Sequence, residues 1–262
     1  MSVLEQIHSH RSIRKYKPDP VPENVLNQIL NAGLRSSSSG NMQSYSIIVT
    51  RDQELRQKLL IPHLQQSMVV EAPVLITFCA DFHRIRRWVA LSEAPDSFDN
   101  FFSFLVGLID AALVSQNVAL AAEAEGLGIC YLGSTLANGD QIGEILNLPP
   151  NVVPAVGFCM GYPAENPELR YRLPLAGIVH HESYQEPADE EIKNLYQEKE
   201  KRGWKRYMES SRLRKLVQEH NVSNLAELYT AIKYTRLKHQ KISQSLLTYL
   251  EKQQFMNNQG TE

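Results

Sequence analysis

Apolar residues recur along this chain at two spacings, and the change from one to the other marks its elements. Residues 2–9 predict a short helix ending at His10-Arg11-Ser12, after which Pro18, Pro20 and Pro22 force an extended connection. Val25, Leu26, Ile29, Leu30 and the stretch Ala32 to Leu34 fall at helical spacing, with Pro22-Glu23 in the first turn and Gly33 near the end. A serine-rich loop, Ser36 to Asn41, leads into the β-branched run Tyr45 to Val49, which predicts a strand, and Val74 to Phe78 predicts a second. Residues 101–126 are apolar on almost every side, which predicts a helix buried all round, at the centre of a layered domain or at a subunit interface. Ile129 to Leu132 and Val152 to Gly161 predict two more strands, separated by a short helix over Asp140 to Leu148 that Pro149-Pro150 stops.

From Pro187 the composition turns polar and charged, with helical stretches around 189–202 and 223–254. The simplest account is a mixed α and β core over residues 1–186 and a helical C-terminal extension of the same domain over 187–262.

Composition narrows the class. With 262 residues, 43% hydrophobic and 21% charged, the chain has the balance of a folded globular protein. Its 27 Lys and Arg stand against 29 Asp and Glu, a net charge of -2, so the large basic field expected of a nucleic-acid or membrane-surface binder is missing. The tail is nonetheless basic, since residues 187–262 hold 14 Lys and Arg against 10 Asp and Glu. Cys79, Cys130 and Cys159 lie far apart with no C-x-x-C pair, and are expected to be reduced thiols. Residues 1–11 carry Glu5 and two histidines and no apolar stretch of signal-peptide length. The most apolar run, Leu105 to Ala122, is interrupted by Asp110, Ser115, Gln116 and Asn117, whereas a membrane span needs roughly 20 mostly apolar residues. A cytoplasmic location is the expectation.

Four clusters carry candidate chemistry. His10-Arg11-Ser12-Ile13-Arg14 packs two guanidinium groups and a hydroxyl into five residues, a set suited to a phosphate monoester, although a solvated basic turn has the same spacing. Ser36 to Gln43 is dense in hydroxyl and amide groups that can line a polar planar ligand or simply make a turn. Gly128 to Ser134 is a strand ending at Gly133, where backbone amides can approach a ligand closely. Arg170 and Arg172 alternate in an extended stretch and so point to one side. No G-x-G-x-x-G, P-loop, H-E-x-x-H or G-x-S-x-G motif is present. His63, His83, His180 and His181 fall at no metal-ligand spacing, so no metal is expected and these histidines read as surface or structural.

In order, HRSIRKYKPDPVP (10–22), SSSSGNMQSYSIIV (36–49), CADF (79–82), NVALAAEAEGLGICYLG (117–133) and LPPNVVPAVGFCMGYPAENPELRYRLP (148–174) resemble the nitroreductase family of FMN flavoproteins, closest to its NADPH-dependent oxygen-insensitive nitroreductase and flavin reductase branch. The resemblance implies an α+β fold with a central mixed sheet and long buried helices, forming a homodimer with two FMN sites between subunits. It implies that Arg11, Ser12, Arg14, Arg170 and Arg172, with His10 beside them, hold the FMN phosphate and ribityl oxygens. Ser38, Ser39 and Gln66 would hold the ribityl chain and the ring's polar edge, and Tyr131, Gly133 and Ser134 would lie along the isoalloxazine. Ser134 stands where a second glycine is frequent, and Arg170 where lysine is common.

The implied activity is hydride transfer from NADPH to FMN, followed by two-electron reduction of nitroaromatics, quinones or free flavin in the same slot, with no side chain acting as nucleophile or base. In the basic stretch Lys199 to Lys215, Arg202 and Arg206 are the candidates to meet the NADPH 2'-phosphate. The alternatives are another reductive enzyme on the same scaffold, such as a dehalogenase or flavin-fragmenting enzyme, or a non-catalytic flavin-binding redox sensor.

Overall fold

The computed structural model describes residues 2–258. They form two compact units, the first joining the chain up to Glu168 with Ile242 onward, the second running from Leu169 to Lys241. The division expected at residue 186 therefore falls elsewhere, and the last part of the chain belongs with the first unit.

In the first unit, α1 (Val3–Ser9) and α2 (Glu23–Gly33) precede β1 (Tyr45–Thr50), α3 (Gln53–Leu60), α4 (Met68–Glu71) and β2 (Val74–Asp81). Then come α5 (His83–Leu91), α6 (Phe101–Ala124), β3 (Gly128–Tyr131), α7 (Ser134–Ala137), α8 (Gly139–Ile145) and β4 (Val152–Gly161). The four strands form one sheet in the order β1-β2-β4-β3.

Every pairing in that sheet is antiparallel, which corrects the expectation of a mixed sheet. Thr50 at the end of β1 pairs with Leu75 at the start of β2, so the helical connection between them leaves and re-enters at the same end of the sheet. A parallel neighbour would need a crossover to the far end. Pro154 sits in β4 at a register step, where Phe78 pairs with Val156 but Cys79 with Pro154. The step absorbs a residue that cannot donate to the ladder.

β2 is buried along its whole length, and its alternation divides the core. Val74, Ile76 and Phe78 pack with Ala111, Val114 and Val118 of α6, while Leu75 on the other face packs with Leu59, Met68, Leu132 and Ile142. Gly107 lets α6 press onto the sheet, since a Cβ there would stand 2.9 Å from the Ala80 Cβ and 3.0 Å from the Ser44 carbonyl oxygen. Within one chain the sheet and α2 cover α6 on part of its circumference, and Phe102, Ile109 and Leu113 on the remaining face are 73%, 55% and 42% exposed.

The second unit holds α9 (Asp189–Met208), α10 (Ser211–Glu219), α11 (Leu225–Glu227), a π-helical turn over Leu228–Lys233, and the start of α12 (Arg236–Lys252). Three acidic residues open α9 and Lys205 and Arg206 close it, in line with the helix dipole. Val217, Val222 and Leu228 form its small core with Trp204, Tyr207 and Tyr229 packed around them. The end of α12 and the residues after it return to the first unit, where Tyr249, Leu250 and Phe255 pack with Phe82, Phe104 and Val153.

Candidate active site

Residues 11–16 run alongside β3. The Ile13 amide donates to the Ile129 carbonyl at 2.9 Å, and the Tyr16 hydroxyl donates to the carbonyls of Ile13 and Cys159 at 2.6 and 3.2 Å. Buried Ile13 anchors the segment, which leaves Arg11 and Ser12 half-buried and Arg14 exposed. His10 Nδ1 lies 2.6 Å from Glu123 Oε1 at the end of α6. Arg11 donates to the Asn166 side chain at 2.5 Å and to the Pro167 carbonyl at 3.2 Å. The Glu165 carboxylate accepts from the amides of Arg14 and Lys15 at 2.6 and 3.2 Å. Cys130 is close enough to feel both neighbours: burial pushes its thiol up, while the Arg14 charge and a hydrogen bond with Ser12 oppose that.

Further along β3 the chain reaches Tyr131, whose hydroxyl is 3.1 Å from Ser115 Oγ on α6 and whose ring packs edge-on against Phe158. Its polar end is thus engaged inside the protein. A Cβ on Gly133 would meet no atom within 4 Å, so the backbone there borders open space. Ser134 is buried, with its Oγ 2.9 Å from His63 Nδ1. Gln66 is half-buried and donates from Nε2 to the His63 carbonyl at 2.9 Å. His63 is only 1% exposed, and burial lowers its pKa to about 4, so the imidazole is neutral near pH 7. Sequence spacing gave no sign of this pairing, because His63 and Ser134 are 71 residues apart.

The serine-rich loop is organised by Asp110. This carboxylate, fully buried at mid-α6, accepts from the Ser38 hydroxyl at 2.7 Å, the Ser39 amide at 3.0 Å, and the Ser44 amide and hydroxyl at 3.2 and 2.7 Å. The Ser38 hydroxyl also accepts from the Gln43 amide, so its single donor is committed to Asp110 and it can only accept further. Among the described residues no hydrogen bond joins Ser38 or Ser39 to residues 10–14, Gln66 or Ser134. α6 is long and apolar enough to cross a membrane, yet this buried carboxylate at its middle is partnered from within the chain.

The remaining expected residues lie in the second unit. Arg170 and Arg172 are exposed in the extended stretch before the turn Leu175–Gly177. Arg202 pairs with Glu198 and lies 5.4 Å from the Tyr171 ring centre, and Arg206 lies 4.7 Å from that of Tyr207. Among the described residues no three His, Cys, Asp or Glu side chains converge to hold a metal.

An antiparallel sheet thus packs against one long apolar helix, with an arginine-rich segment beside the edge strand β3 and an open glycine turn at that strand's end. The Nitroreductase family model matches residues 7–162, the stretch that builds this site in the first unit. The oxygen-insensitive NADPH nitroreductase of Salmonella typhimurium is 38% identical over 196 residues, 74% of this chain and 79% of its own. The NfrA1 nitroreductase of B. subtilis superposes with a TM-score of 0.84 at 26% identity, over 98% of this chain and 100% of its own. The NADPH:FMN oxidoreductase of Vibrio harveyi, solved with NAD+, gives 0.78 at 29% identity over 98% and 99%. The chain belongs to the nitroreductase family.

Proposed function

We propose that this protein is an NADPH-dependent oxidoreductase that works through bound FMN and passes two electrons to small-molecule acceptors such as nitroaromatics, quinones or free flavin. The observation that carries this reading is the alignment of residues 10–14 along β3, whose far end opens at Gly133, next to the Ser134 that His63 ties to the loop bearing Gln66. The residues suit the cofactor. Two guanidinium groups and a serine hydroxyl match a phosphate monoester, and the open space at Gly133 allows a planar ring close to the backbone. When bound, FMN supplies the hydride-accepting and hydride-donating chemistry.

In this reading the chain's own residues bind and orient. Arg11, Ser12 and Arg14 hold the phosphate, with Glu123 fixing His10 beside them and Asn166 and Pro167 aiming the Arg11 guanidinium. Gln66 and the amides around Gly133 and Ser134 meet the polar edge of the ring, and Asp110 shapes the loop that presents Ser39. The phosphate role of Arg170 and Arg172, and the NADPH 2'-phosphate role of Arg202 and Arg206, rest on the resemblance and on charge. NADPH and the electron acceptor use one slot in turn. Homodimer formation belongs to the same proposal, since Phe102, Ile109 and Leu113 leave an apolar face of α6 that a second copy would cover. So does a cytoplasmic location, with α6 serving as a core helix packed on the sheet.

Titration of apoprotein with FMN, followed by flavin fluorescence, tests the reading together with NADPH oxidation in the presence of a quinone. Binding near one FMN per chain and turnover that depends on it are expected. Quinone reduction at full rate in FMN-free protein would refute the proposal.

A further inference from the structure

We propose that His63 is a positioning residue, locking the loop that carries Gln66 and the Gly133–Ser134 turn into a single edge of the flavin site; this rests on the functional reading above. The loop after α3 is held in an unfavourable shape. Leu64 and Gln65 are consecutive non-glycine residues with φ of 59° and 57°, in the left-handed region that side chains rarely adopt. Such backbone persists only where its surroundings fix it.

Two tethers, one to α7 and one to the residue that follows it, fix it here. The Asn138 side chain donates to the Pro62 carbonyl at 2.5 Å, and His63 Nδ1 meets Ser134 Oγ at 2.9 Å. The same histidine receives Gln66 Nε2 on its carbonyl at 2.9 Å, so its ring addresses one expected flavin neighbour and its backbone another. Its ring is buried, and Ser134 is buried with it, so the bond between them lies away from solvent and has a defined geometry. Leu59 and Leu132, at the two ends of this link, share one apolar cluster, which keeps the loop and the turn in register. A serine at position 134 thus has a specific function: its hydroxyl is the point at which the turn is gripped.

The test is a double-mutant cycle on the full chain, read by FMN dissociation constant and by the midpoint potential of the bound flavin. His63→Leu and Ser134→Gly are each expected to weaken FMN binding about 3- to 10-fold, the loss of one buried hydrogen bond, and to shift the potential in the same direction. The double variant is expected to be no weaker than the weaker single variant. His63→Asn, whose amide can reach Ser134 from the Nδ1 position, is expected to restore binding to within about two-fold. If His63→Leu fails to fold, Ser134→Gly compared in the wild-type and His63→Asn backgrounds carries the same test, with equal losses expected. Additive losses, or an unshifted potential in His63→Leu with wild-type affinity, would overturn the role of His63 while leaving the flavin reading intact. A wild-type protein that binds no FMN would overturn both.

Discussion

Replacing Asp110 by Asn is the most informative single perturbation of the serine-rich loop. The change keeps shape and removes charge. In the native structure Oδ2 receives the Ser38 hydroxyl and the Ser44 amide and hydroxyl, while Oδ1 receives the Ser39 amide. The two hydroxyls can turn, but the two backbone amides cannot. An asparagine must direct its NH2 group at one of those amides, whichever way it is placed, and so sets donor against donor. A hydrogen bond to a buried charged group contributes about 1.5 to 3 kcal/mol, so the loss of one, with weakening of the others, costs about 2 to 4 kcal/mol. For a chain of this size that corresponds to a fall in Tm of roughly 5 to 15 °C. Thermal unfolding followed by circular dichroism measures it, and FMN affinity should fall with it because Ser39 loses its anchor. Asp110→Ala removes all four acceptor contacts, at a cost of about 6 to 12 kcal/mol that is comparable with a whole domain's stability, and should not yield folded protein. An Asp110→Asn protein melting within 2 °C of wild type would refute the reasoning.

Three further outcomes are expected. Burial holds His63 neutral with a pKa of about 4 against the ordinary 6.5, so the unfolded chain binds the extra proton between those values. The stability this histidine contributes is complete above about pH 6.5 and falls as pH drops, by about 2 kcal/mol at pH 5; urea midpoints at pH 7 and pH 5 should converge less for wild type than for His63→Leu, and an identical loss in both would exclude His63 as the cause. Arg14→Gln should weaken FMN binding by about 10-fold or more through a lost charge-assisted contact, and full flavin occupancy in the purified variant would remove Arg14 from the phosphate site. Arg206→Ala should lower the NADPH-to-NADH ratio of kcat/KM, and an unchanged ratio would count against Arg206.

Local pattern made much of the fold legible. β4 runs over the predicted Val152 to Gly161, and α2 over the apolar spacing from Val25 to Gly33. α5 was not visible, because Arg84, Arg86 and Arg87 interrupt the few apolar positions, Ile85 and Val89, that bury its inner face. Strand direction was also out of reach, since it depends on where connections re-enter the sheet. Asp110 read as an interruption in an apolar helix, and only the folded chain brings Ser38 and Ser44 to it across some seventy residues. The return of Tyr249 and Phe255 to the first unit lay hidden in a tail whose average composition is polar. For the candidate site, the arginine segment and Gly133 carried their chemistry in residue type, whereas His63 acquires its place only from burial.

The central claim is that the chain binds a flavin that NADPH reduces. The visible spectrum of the purified protein, reconstituted with FMN if needed and followed during anaerobic addition of NADPH, tests it most directly. A yellow protein whose absorption near the flavin maximum bleaches with NADPH is the expected result. A colourless protein that takes up no added FMN, or a flavin that NADPH leaves oxidised, would contradict the account.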